Sequence, residues 1–274
     1  MTHTPRVLIL CALIPLACKE TPREPPKGFV TVGEITQIES PKLCPSNMKP
    51  VQGGFLAPPY PTIAFQNGYC KKWLKGTPKR CAEFDSSAWS KLEKLPRKPM
   101  EFCMDKYEWP NVEGEKPVVD VTWKEASWQC ESVGKRLCTE NEWTFACEGE
   151  AVLPYPYGFI RDATACNIDK PWIEYSVAKL SFPGTPAYAE ETKRLWQGAR
   201  SGEYEDCVSP FGVHDMTGNV DEWTVSTSPR GNRSILKGGY WSVVRNRCQP
   251  STRVHNEDHH MYQAGFRCCK DIRQ

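Results

Sequence analysis

One group of metal-binding residue types lies near the C-terminus, where residues 212–223 read GVHDMTGNVDEW. Asp215, Gly218, Asn219 and Glu222 place hard oxygen donors and a flexible glycine within eight positions. Calcium is bound in proteins by carboxylates and by backbone carbonyls turned toward the ion. This spacing therefore predicts a calcium loop. An Asn/Gly turn followed by an amphipathic strand fits the same residues and is the alternative.

A second group of candidate ligands comes shortly before the C-terminal end, in RVHNEDHHMY. His255, His259 and His260 stand there with Glu257 and Asp258. Imidazoles with carboxylates could bind iron, zinc or copper. A solvated polar turn is the alternative, because the neighbours His259 and His260 diverge if the segment is extended.

The cysteines predict disulfides rather than a zinc site. Of the 14 cysteines, Cys11 and Cys18 lie in the N-terminal segment, and the remaining even number shows no C-x-x-C spacing. Such a pattern in an exported domain is typical of disulfide bonding. Cys268 and Cys269 are adjacent in an expected strand, so they should face opposite ways and need different partners.

The N-terminus resembles a bacterial lipoprotein signal. Arg6 precedes an apolar run over residues 7–17, which is shorter than the roughly 20 residues that span a bilayer. The run ends in Leu16-Ala17-Cys18, similar to a lipobox, which implies that Cys18 is acylated and anchors the chain in a membrane. Lys19 then favours the outer membrane, facing the periplasm or the cell surface. An ordinary signal peptide or a mature cysteine is the alternative.

Charge and composition restrict the partners and the fold class. The chain has 35 basic and 33 acidic residues, interspersed without a basic stripe, so nucleic acid is not an expected partner. With 24 prolines and 19 glycines, the sequence predicts a loop-rich α+β domain with short strands.

The helices that position these residues have clear start signals. Thr122 with Glu125 and Thr139 with Glu142 each form a capping box. The expected inward-facing residues are Trp123, Ala126, Cys130 and Val133 in the first helix, with Trp143, Ala146 and Cys147 in the second. Gly134 and Gly149 end the two helices.

Strands are expected near residues 102–107 and 265–269, and the ordered part begins near Cys44. A lysine-rich surface excursion between Cys70 and Cys81 is expected to be closed by those two cysteines. The alternative is that each of them pairs elsewhere. Residues 1–17 are interpreted as the signal peptide, 18–43 as a proline-rich charged tether and 44–274 as the domain.

The order of the motifs identifies a family. They run GGF, FCMDKYEWPN, PVVDVTW, GKRLCTENEWTFAC, YPYG, CNI, GVHDMTGNVDEW, LKGG and GFRC. Over residues 44–269 the chain resembles the formylglycine-generating enzyme (sulfatase-modifying factor) family. The resemblance implies an irregular, loop-rich α+β fold related to C-type lectin-like domains and stabilised by calcium and disulfides. The namesake enzymes oxidise a substrate cysteine with two cysteines, copper and oxygen.

The resemblance also implies site residues. One calcium site corresponds to Asp215, Gly218, Val220 and Glu222, with Gly218 and Val220 supplying backbone carbonyls. The other corresponds to Asn167 and Ile168, and residues 181–206 depart from the family pattern where its remaining ligands would lie.

The family alignment, together with the helix phases, implies two disulfides, Cys130 with Cys268 and Cys147 with Cys248. Adjacent terminal strands in this fold further suggest Cys103 with Cys269.

The chain departs from the namesake enzymes at the catalytic segment. Residues 239–247 contain no cysteine, so neither a soft Cu(I) site nor a thiol for exchange with a substrate is expected. Copper or iron as a cofactor therefore lacks the support of a cysteine pair. Tyr240 and Trp241 are interpreted as core and groove wall. Asp221 replaces the family's usual tryptophan, making the groove floor more acidic or simply leaving a solvated carboxylate.

These observations favour a lipid-anchored extracytoplasmic module that is stabilised by calcium and binds an unknown protein or small-molecule ligand. The alternative is a metal-dependent extracytoplasmic oxidase of the same family that uses the histidine group. A third interpretation is a structural protein of an envelope assembly.

Overall fold

A computed structural model describes residues 44–57, 60 and 62–272. The interpretation of residues 1–43, including acylation of Cys18, concerns positions outside this part. Within the described residues, no helix combines the length and apolar character needed to cross a membrane.

The strands are β1 Met48–Phe55, β2 Cys70–Leu74, β3 Arg80–Phe84, β4 Lys98–Asp105, β5 Arg136–Leu137, β6 Asp221–Val225, β7 Ser234–Lys237, β8 Ser251–Thr252, β9 Ala264–Phe266 and β10 Cys268–Lys270. The helices are α1 Thr62–Gly68, α2 Ser90–Glu93, α3 Trp123–Ser132, α4 Glu140–Glu148, α5 Val177–Leu180 and α6 Pro186–Leu195.

Two four-stranded sheets carry the fold. The first has the order β1-β4-β10-β5 and is antiparallel throughout. The second has the order β8-β7-β6-β9, in which β6 and β9 run parallel. Because β9 and β10 are separated only by Arg267, the C-terminal segment passes directly from the second sheet into the first.

Both predicted capping boxes are present. The Thr122 hydroxyl accepts a hydrogen bond from the Glu125 backbone N–H, and the Glu125 carboxylate accepts one from the Thr122 N–H. Thr139 and Glu142 repeat this arrangement at the start of α4. These reciprocal bonds satisfy amides that have no partner within the first turn of a helix.

The prediction that Val133 faces the core together with the rest of the first helix is wrong. Val133 is 48% exposed, whereas Ala126 and Cys130 are fully buried. Helix α3 ends at Ser132, and Val133 follows as its C-cap with φ −109° and ψ 18°. Outside the helical conformation, Val133 no longer follows the 3.6-residue period that would place it on the buried face.

Six disulfides join the described cysteines, and both of the implied pairs, Cys130–Cys268 and Cys147–Cys248, are among them. Cys70 pairs with Cys81 and closes the hairpin of β2 and β3, as expected from its lysine-rich loop. The remaining pairs are Cys44–Cys103, Cys138–Cys269 and Cys166–Cys207.

The expectation that Cys103 pairs with Cys269 is wrong, and the strand register gives the reason. In the β4–β10 ladder Lys270 lies opposite Cys103, while Cys269 lies opposite Met104. Residues opposite each other share a face and neighbours alternate, so Cys269 and Cys103 point to different faces of the sheet. Cys103 consequently meets Cys44 on one side, and Cys269 meets Cys138 on the other.

The adjacent cysteines Cys268 and Cys269 serve two cores. Cys269 lies in the core between the first sheet and α4, with Phe102, Met104 and Trp143. Cys268 lies in the core that packs α3 against the second sheet, with Trp123, Trp223 and Phe266. The opposite orientation predicted for two neighbours in a strand is therefore confirmed, and it ties both cores to the C-terminal strand.

Candidate functional site

A fully buried ion pair lies where the two sheets meet. Glu222 on β6 and Arg267 between β9 and β10 are each 1% exposed. Arg267 donates from Nε to Glu222 Oε2 and from Nη2 to Oε1, both at 2.7 Å. Trp143 on α4 donates its indole N–H to Oε2 at 2.8 Å. Both oxygens of Glu222 are therefore occupied by well-directed donors.

Two further carboxylates surround this pair. Glu108 Oε2 accepts a hydrogen bond from Asn219 Nδ2 at 2.8 Å, but Glu108 Oε1 is buried without a partner. Asp215 Oδ2 accepts from the Gly202 N–H at 2.8 Å. We refer to Glu108, Asp215, Glu222 and Arg267 as the carboxylate centre. It holds three acidic groups and one guanidinium.

The excess of acidic groups perturbs the ionisation of the carboxylate centre. Burial, assisted by the neighbouring charges of Asp215 and Glu222, raises the pKa of Glu108 well above its ordinary value. Burial likewise raises the pKa of Asp215 to about 6. Burial alone would lower the pKa of Arg267, but the charge and hydrogen bonds of Glu222 raise it, so the guanidinium stays charged.

The residues of the two implied calcium sites lie next to each other. Asn167 Nδ2 donates to Asn219 Oδ1 at 3.0 Å, and Asn167 Oδ1 is buried without a partner. A Cβ added at Gly218 would lie 2.4 Å from both the Asn167 carbonyl oxygen and the Ile168 side chain. Gly218 also has φ +86°, so glycine is required here both by the close approach and by the backbone conformation.

The donor chemistry of the carboxylate centre and of the adjacent Asn167 fits a hard cation. The unpartnered oxygens belong to Glu108 and Asn167, and such oxygens are the ligand type that calcium takes. Glu222 is instead engaged by Arg267 and Trp143. In the described part of the chain, no three His, Cys, Asp or Glu side chains form a group that could hold a metal ion.

Sequence reasoning missed Glu108 and Arg267 as site residues. Both stand inside quoted motifs, Glu108 in FCMDKYEWPN and Arg267 in GFRC. The available signal was a charged residue between apolar neighbours, directly after one expected strand in the case of Glu108 and inside the other in the case of Arg267. Charged residues at such positions are almost never fully buried unless they are paired.

A cleft of about 270 Å³ opens beside the turn at Gly238 and Gly239. Its walls include Asp221, Lys237, Tyr240, Arg245, His255 and Met261. Asp221 is half-buried, which differs from the solvated carboxylate that the sequence left open. Burial raises the pKa of Asp221 to about 7, although a hydrogen bond from the Gly239 N–H acts in the opposite direction.

A second buried charge centre lies behind this cleft. Lys237 is 1% exposed and donates to the Gln249 carbonyl at 2.9 Å and to the Ser251 hydroxyl at 3.4 Å. The fully buried Glu148 accepts a hydrogen bond from the Gln249 side chain, and its Oε1 has no partner. We refer to Lys237, Glu148 and Gln249 as the lysine centre.

Burial shifts both ionisable groups of the lysine centre toward neutrality. It raises the pKa of Glu148 to about 8 and lowers the pKa of Lys237 to about 8. The two groups influence each other electrostatically, but they form no ion pair within the described residues.

The histidine group divides into two parts. The rings of His255 and His259 stack with their centres 3.8 Å apart. His260 instead places Nδ1 2.7 Å from Asp120 Oδ1, and Tyr188 donates its hydroxyl to the same oxygen. The structure therefore brings His255 and His259 together and directs His260 to a different neighbour.

Comparison with known proteins identifies the family. Residues 66–272 match the model of the sulfatase-modifying factor enzyme 1-like domain. The chain belongs to this family. Membership accounts for the irregular α+β, loop-rich fold, which six disulfides hold together in the described residues.

Curated relatives match the sulfatase-modifying factor domain as part of longer proteins. The serine/threonine-protein kinase pkn1 of Chlamydia caviae is 29% identical over 57% of this chain and 24% of its own length. The inactive C-alpha-formylglycine-generating enzyme 2 of Mus musculus is 31% identical over 56% of this chain and 49% of its own length. The chain thus spans at most about half of these relatives. Among solved structures, CarF covers 84% of this chain and 99% of its own, with 15% identity and a TM-score of 0.49.

Proposed function

We propose that this member of the sulfatase-modifying factor family is an extracytoplasmic binding module that performs no thiol-based oxidation. The observation that carries the proposal is the state of the cysteines. Every cysteine in the described residues belongs to a disulfide. Cys248 follows the segment where the namesake enzymes carry their cysteine pair, and it is bonded to Cys147 at 2.06 Å.

A disulfide sulfur cannot replace the missing thiols. Copper(I) is bound by thiolates, and exchange with a substrate cysteine also begins with attack by a thiolate. Cys147 and Cys248 are both fully buried, which further excludes a substrate sulfur from their bond. The groove of this chain is therefore better suited to binding than to formylglycine formation.

The cleft beside Gly238 and Gly239 is the proposed binding site. It combines apolar walls from Leu236 and Met261 with a few polar groups, a composition typical of small-ligand sites. Asp221 supplies a half-buried carboxylate that can accept hydrogen bonds from a ligand. The unknown ligand is expected to offer a hydrogen-bond donor to this group.

The test of the redox half of the proposal is a conversion assay. The purified protein, supplied with copper and oxygen, is expected to leave a Cys-x-Pro-x-Arg peptide unchanged by mass spectrometry. Formation of formylglycine that depends on this protein would overturn the proposal. If Cys248→Ser then abolished that activity, the Cys147–Cys248 bond would also be in question.

The binding half is tested by a fragment screen followed by crystallography. Hits are expected to concentrate in the cleft and to be lost in Asp221→Asn when they contact that residue. Thr192→Ala, in a separate cavity lined by Trp196 and Tyr262, serves as the control. Hits that concentrate in the other cavity and leave the cleft empty would place the binding site elsewhere.

We further propose that calcium occupies the carboxylate centre, with Glu108 and Asp215 as carboxylate ligands. The support is the unpartnered Glu108 oxygen together with the excess of acidic groups over Arg267. The ion would offset the cost of keeping these carboxylates charged in the interior, and it would add no redox step.

Anchoring through Cys18 is also proposed, on the basis of the Leu16-Ala17-Cys18 junction. Cys18→Ser is expected to remain unprocessed or to leave the membrane fraction, and to take up no labelled palmitate. Labelled palmitate in the Cys18→Ser protein would rule this anchor out.

A further inference from the structure

The hairpin of β2 and β3 and the helix that follows it hold an unusual concentration of basic residues. Between Cys70 and Lys91 the sequence has six basic and two acidic residues, whereas the whole chain has 35 and 33. Residues 71, 72, 75, 79 and 91 are all exposed lysines. We refer to these five lysines and Trp73 as the basic hairpin face.

Most of these lysines are not neutralised by nearby carboxylates. Lys72, Lys75 and Lys79 form no ion pair with any residue that the structure describes. Lys71 is 3.8 Å from both Glu83 and Asp85, a loose and solvent-exposed contact that contributes little. The positive charge of this surface therefore remains available to an anionic partner.

Arg80, unlike the lysines of this hairpin, forms an ion pair with the rest of the domain. It is the only basic residue of β3, and its guanidinium bonds to Asp169 at 2.7 Å with 11% of the side chain exposed. Arg80 thus fixes the hairpin to the body of the domain. The lysines take no part in that attachment, so the fold itself does not account for them.

The backbone that carries the lysines is firmly held. Cys70 and Cys81 are bonded to each other, and the strands pair from Cys70 opposite Phe84 to Leu74 opposite Arg80. Phe84 is buried and packs against Trp89 and Tyr155. The hairpin therefore presents its charges on a preformed scaffold, which lowers the ordering cost of binding.

An exposed tryptophan stands among the lysines. Trp73 is 43% exposed and follows Lys72 at an irregularity in the strand register, where the alternation of faces is interrupted. Tryptophan is enriched where protein meets the boundary between water and hydrocarbon, and clusters of basic residues attract anionic headgroups. This combination fits a flat surface that has anionic groups on the outside and an apolar layer beneath them.

Other polyanions fit this face less well. Specific phosphate recognition in nucleic acids relies largely on the planar fork of arginine, whereas all the free cations here are lysines. Single-stranded nucleic acid is held by successive stacked aromatic rings, and Trp73 is a single exposed ring on this face. The exposed charges also lie on a hairpin surface rather than in a groove.

We propose that the basic hairpin face docks on the surface of a bilayer that contains anionic lipid. The lysine ammoniums lie against the headgroups and Trp73 inserts at the interface. Pro78 of the same hairpin lines the cleft beside Gly238 and Gly239. Docking therefore places the mouth of that cleft next to the membrane. This proposal does not depend on acylation of Cys18 or on ligand binding in the cleft.

The test measures partitioning of the full chain onto vesicles of phosphatidylcholine alone and of phosphatidylcholine with 30% phosphatidylglycerol. The ratio of the two partition coefficients removes contributions of the chain that do not depend on lipid charge. Lys72→Glu/Lys75→Glu/Lys79→Glu is expected to reduce this ratio by about a hundredfold, since each lysine near an anionic surface contributes about a factor of five. Raising the salt concentration should weaken the binding of the unmodified protein in the same direction.

A matched control reverses three exposed cations elsewhere that form no ion pair in the described residues, Lys116, Lys193 and Arg230. It changes the net charge equally and is expected to leave the ratio within about threefold of the starting value, because exposed charges beyond a Debye length are screened. If the two triple variants lowered the ratio equally, net charge alone would explain the effect and the proposal would be wrong. Unchanged partitioning of the hairpin variant would overturn it as well.

A second measurement distinguishes a bilayer from a soluble polyanion. Trp73→Ala is expected to weaken vesicle binding several-fold without changing retention on a heparin column. If the hairpin lysines controlled heparin retention but not vesicle partitioning, the face would bind an anionic chain and the membrane proposal would be wrong. Unchanged melting curves of the variants show that surface charge, and not folding, has been altered.

Discussion

The carboxylate centre and the lysine centre bury the same kinds of charge in two different ways. Glu222 and Arg267 are joined by two parallel hydrogen bonds of 2.7 Å. Glu148 and Lys237 are equally buried but bond to polar neighbours instead of each other. In the first centre the guanidinium pKa is raised, and in the second burial moves both pKa values to about 8.

The difference shows that burial alone does not decide whether a group carries charge. A paired, hydrogen-bonded ion recovers in the interior much of what it loses by leaving water. An unpaired one moves toward its neutral form. We therefore expect the carboxylate centre to respond strongly to loss of its cation and the lysine centre to respond mainly to pH.

The largest expected effect comes from Arg267→Met. The substitution removes the guanidinium that pairs with the buried Glu222, and breaking such a pair costs about 3–5 kcal/mol. Chemical unfolding with the disulfides intact measures the loss. Glu222→Gln added to Arg267→Met should recover part of it, since it removes the uncompensated charge. A loss no larger than that of Lys237→Met would contradict the contrast between the centres.

Calcium should stabilise the protein through the carboxylate centre alone. At a hundredfold excess over its dissociation constant, an ion that binds only the native state adds about 2.7 kcal/mol to the free energy of unfolding. Chelation should lower the melting temperature, and Glu108→Gln should abolish this response. Glu148→Gln makes the same chemical change in the lysine centre and should preserve it. Identical melting temperatures with and without chelator would contradict the proposal that the carboxylate centre binds calcium.

The loss of stability above pH 4.5 should include a large contribution from Glu148 of the lysine centre, added to those of Asp215, Asp221 and Glu108, whose pKa values burial also raises. The pKa of Glu148 is raised from 4.5 to about 8, so its stabilising contribution is complete below pH 4.5 and is lost as the pH rises toward 8. The free energy of unfolding should fall by up to about 1.4 kcal/mol per pH unit across this window. Glu148→Gln should flatten that slope, most clearly between pH 7 and 8. An unchanged slope would mean that Glu148 is ionised in the folded protein.

Lys237→Met should have the smallest effect, within about 1 kcal/mol of the original stability at pH 7. Replacing a buried, unpaired cation by an apolar side chain of similar length removes a desolvation cost together with two hydrogen bonds. Thermal unfolding compared with Arg267→Met, the same change in type at a paired position, provides the measurement. A loss of 3 kcal/mol or more, on the scale of a broken buried pair, would show that Lys237 is paired as tightly as Arg267.

The features that sequence predicted best are those set by local spacing. The capping boxes at Thr122 and Thr139 depend on residues three positions apart, and the two helices place Cys130 and Cys147 inward. The family resemblance then supplied their distant partners. Local spacing failed at Val133, where one residue beyond the end of the helix was enough to lose the period.

The contacts that the sequence did not predict join residues that are far apart in the chain. Glu222 and Arg267 are 45 residues apart, and no periodicity links them. The partner of Cys103 depended on strand register, in which a shift of one residue exchanges the two faces. The residue types of the 212–223 segment revealed its oxygen donors. They could not reveal that Glu222 accepts hydrogen bonds from Arg267 and Trp143.

The disulfide pattern has a consequence for biosynthesis. Cys130, Cys138 and Cys147 are bonded to residues 138, 131 and 101 positions further along the chain. At about 5–20 residues per second, a ribosome needs roughly 7–28 s to make the longest of these intervals. While the 101 positions from Cys147 to Cys248 are made, roughly 5–20 s at this rate, all three thiols are present in a growing chain without their partners. Correct maturation therefore requires either delayed oxidation or an isomerase that reshuffles early pairs.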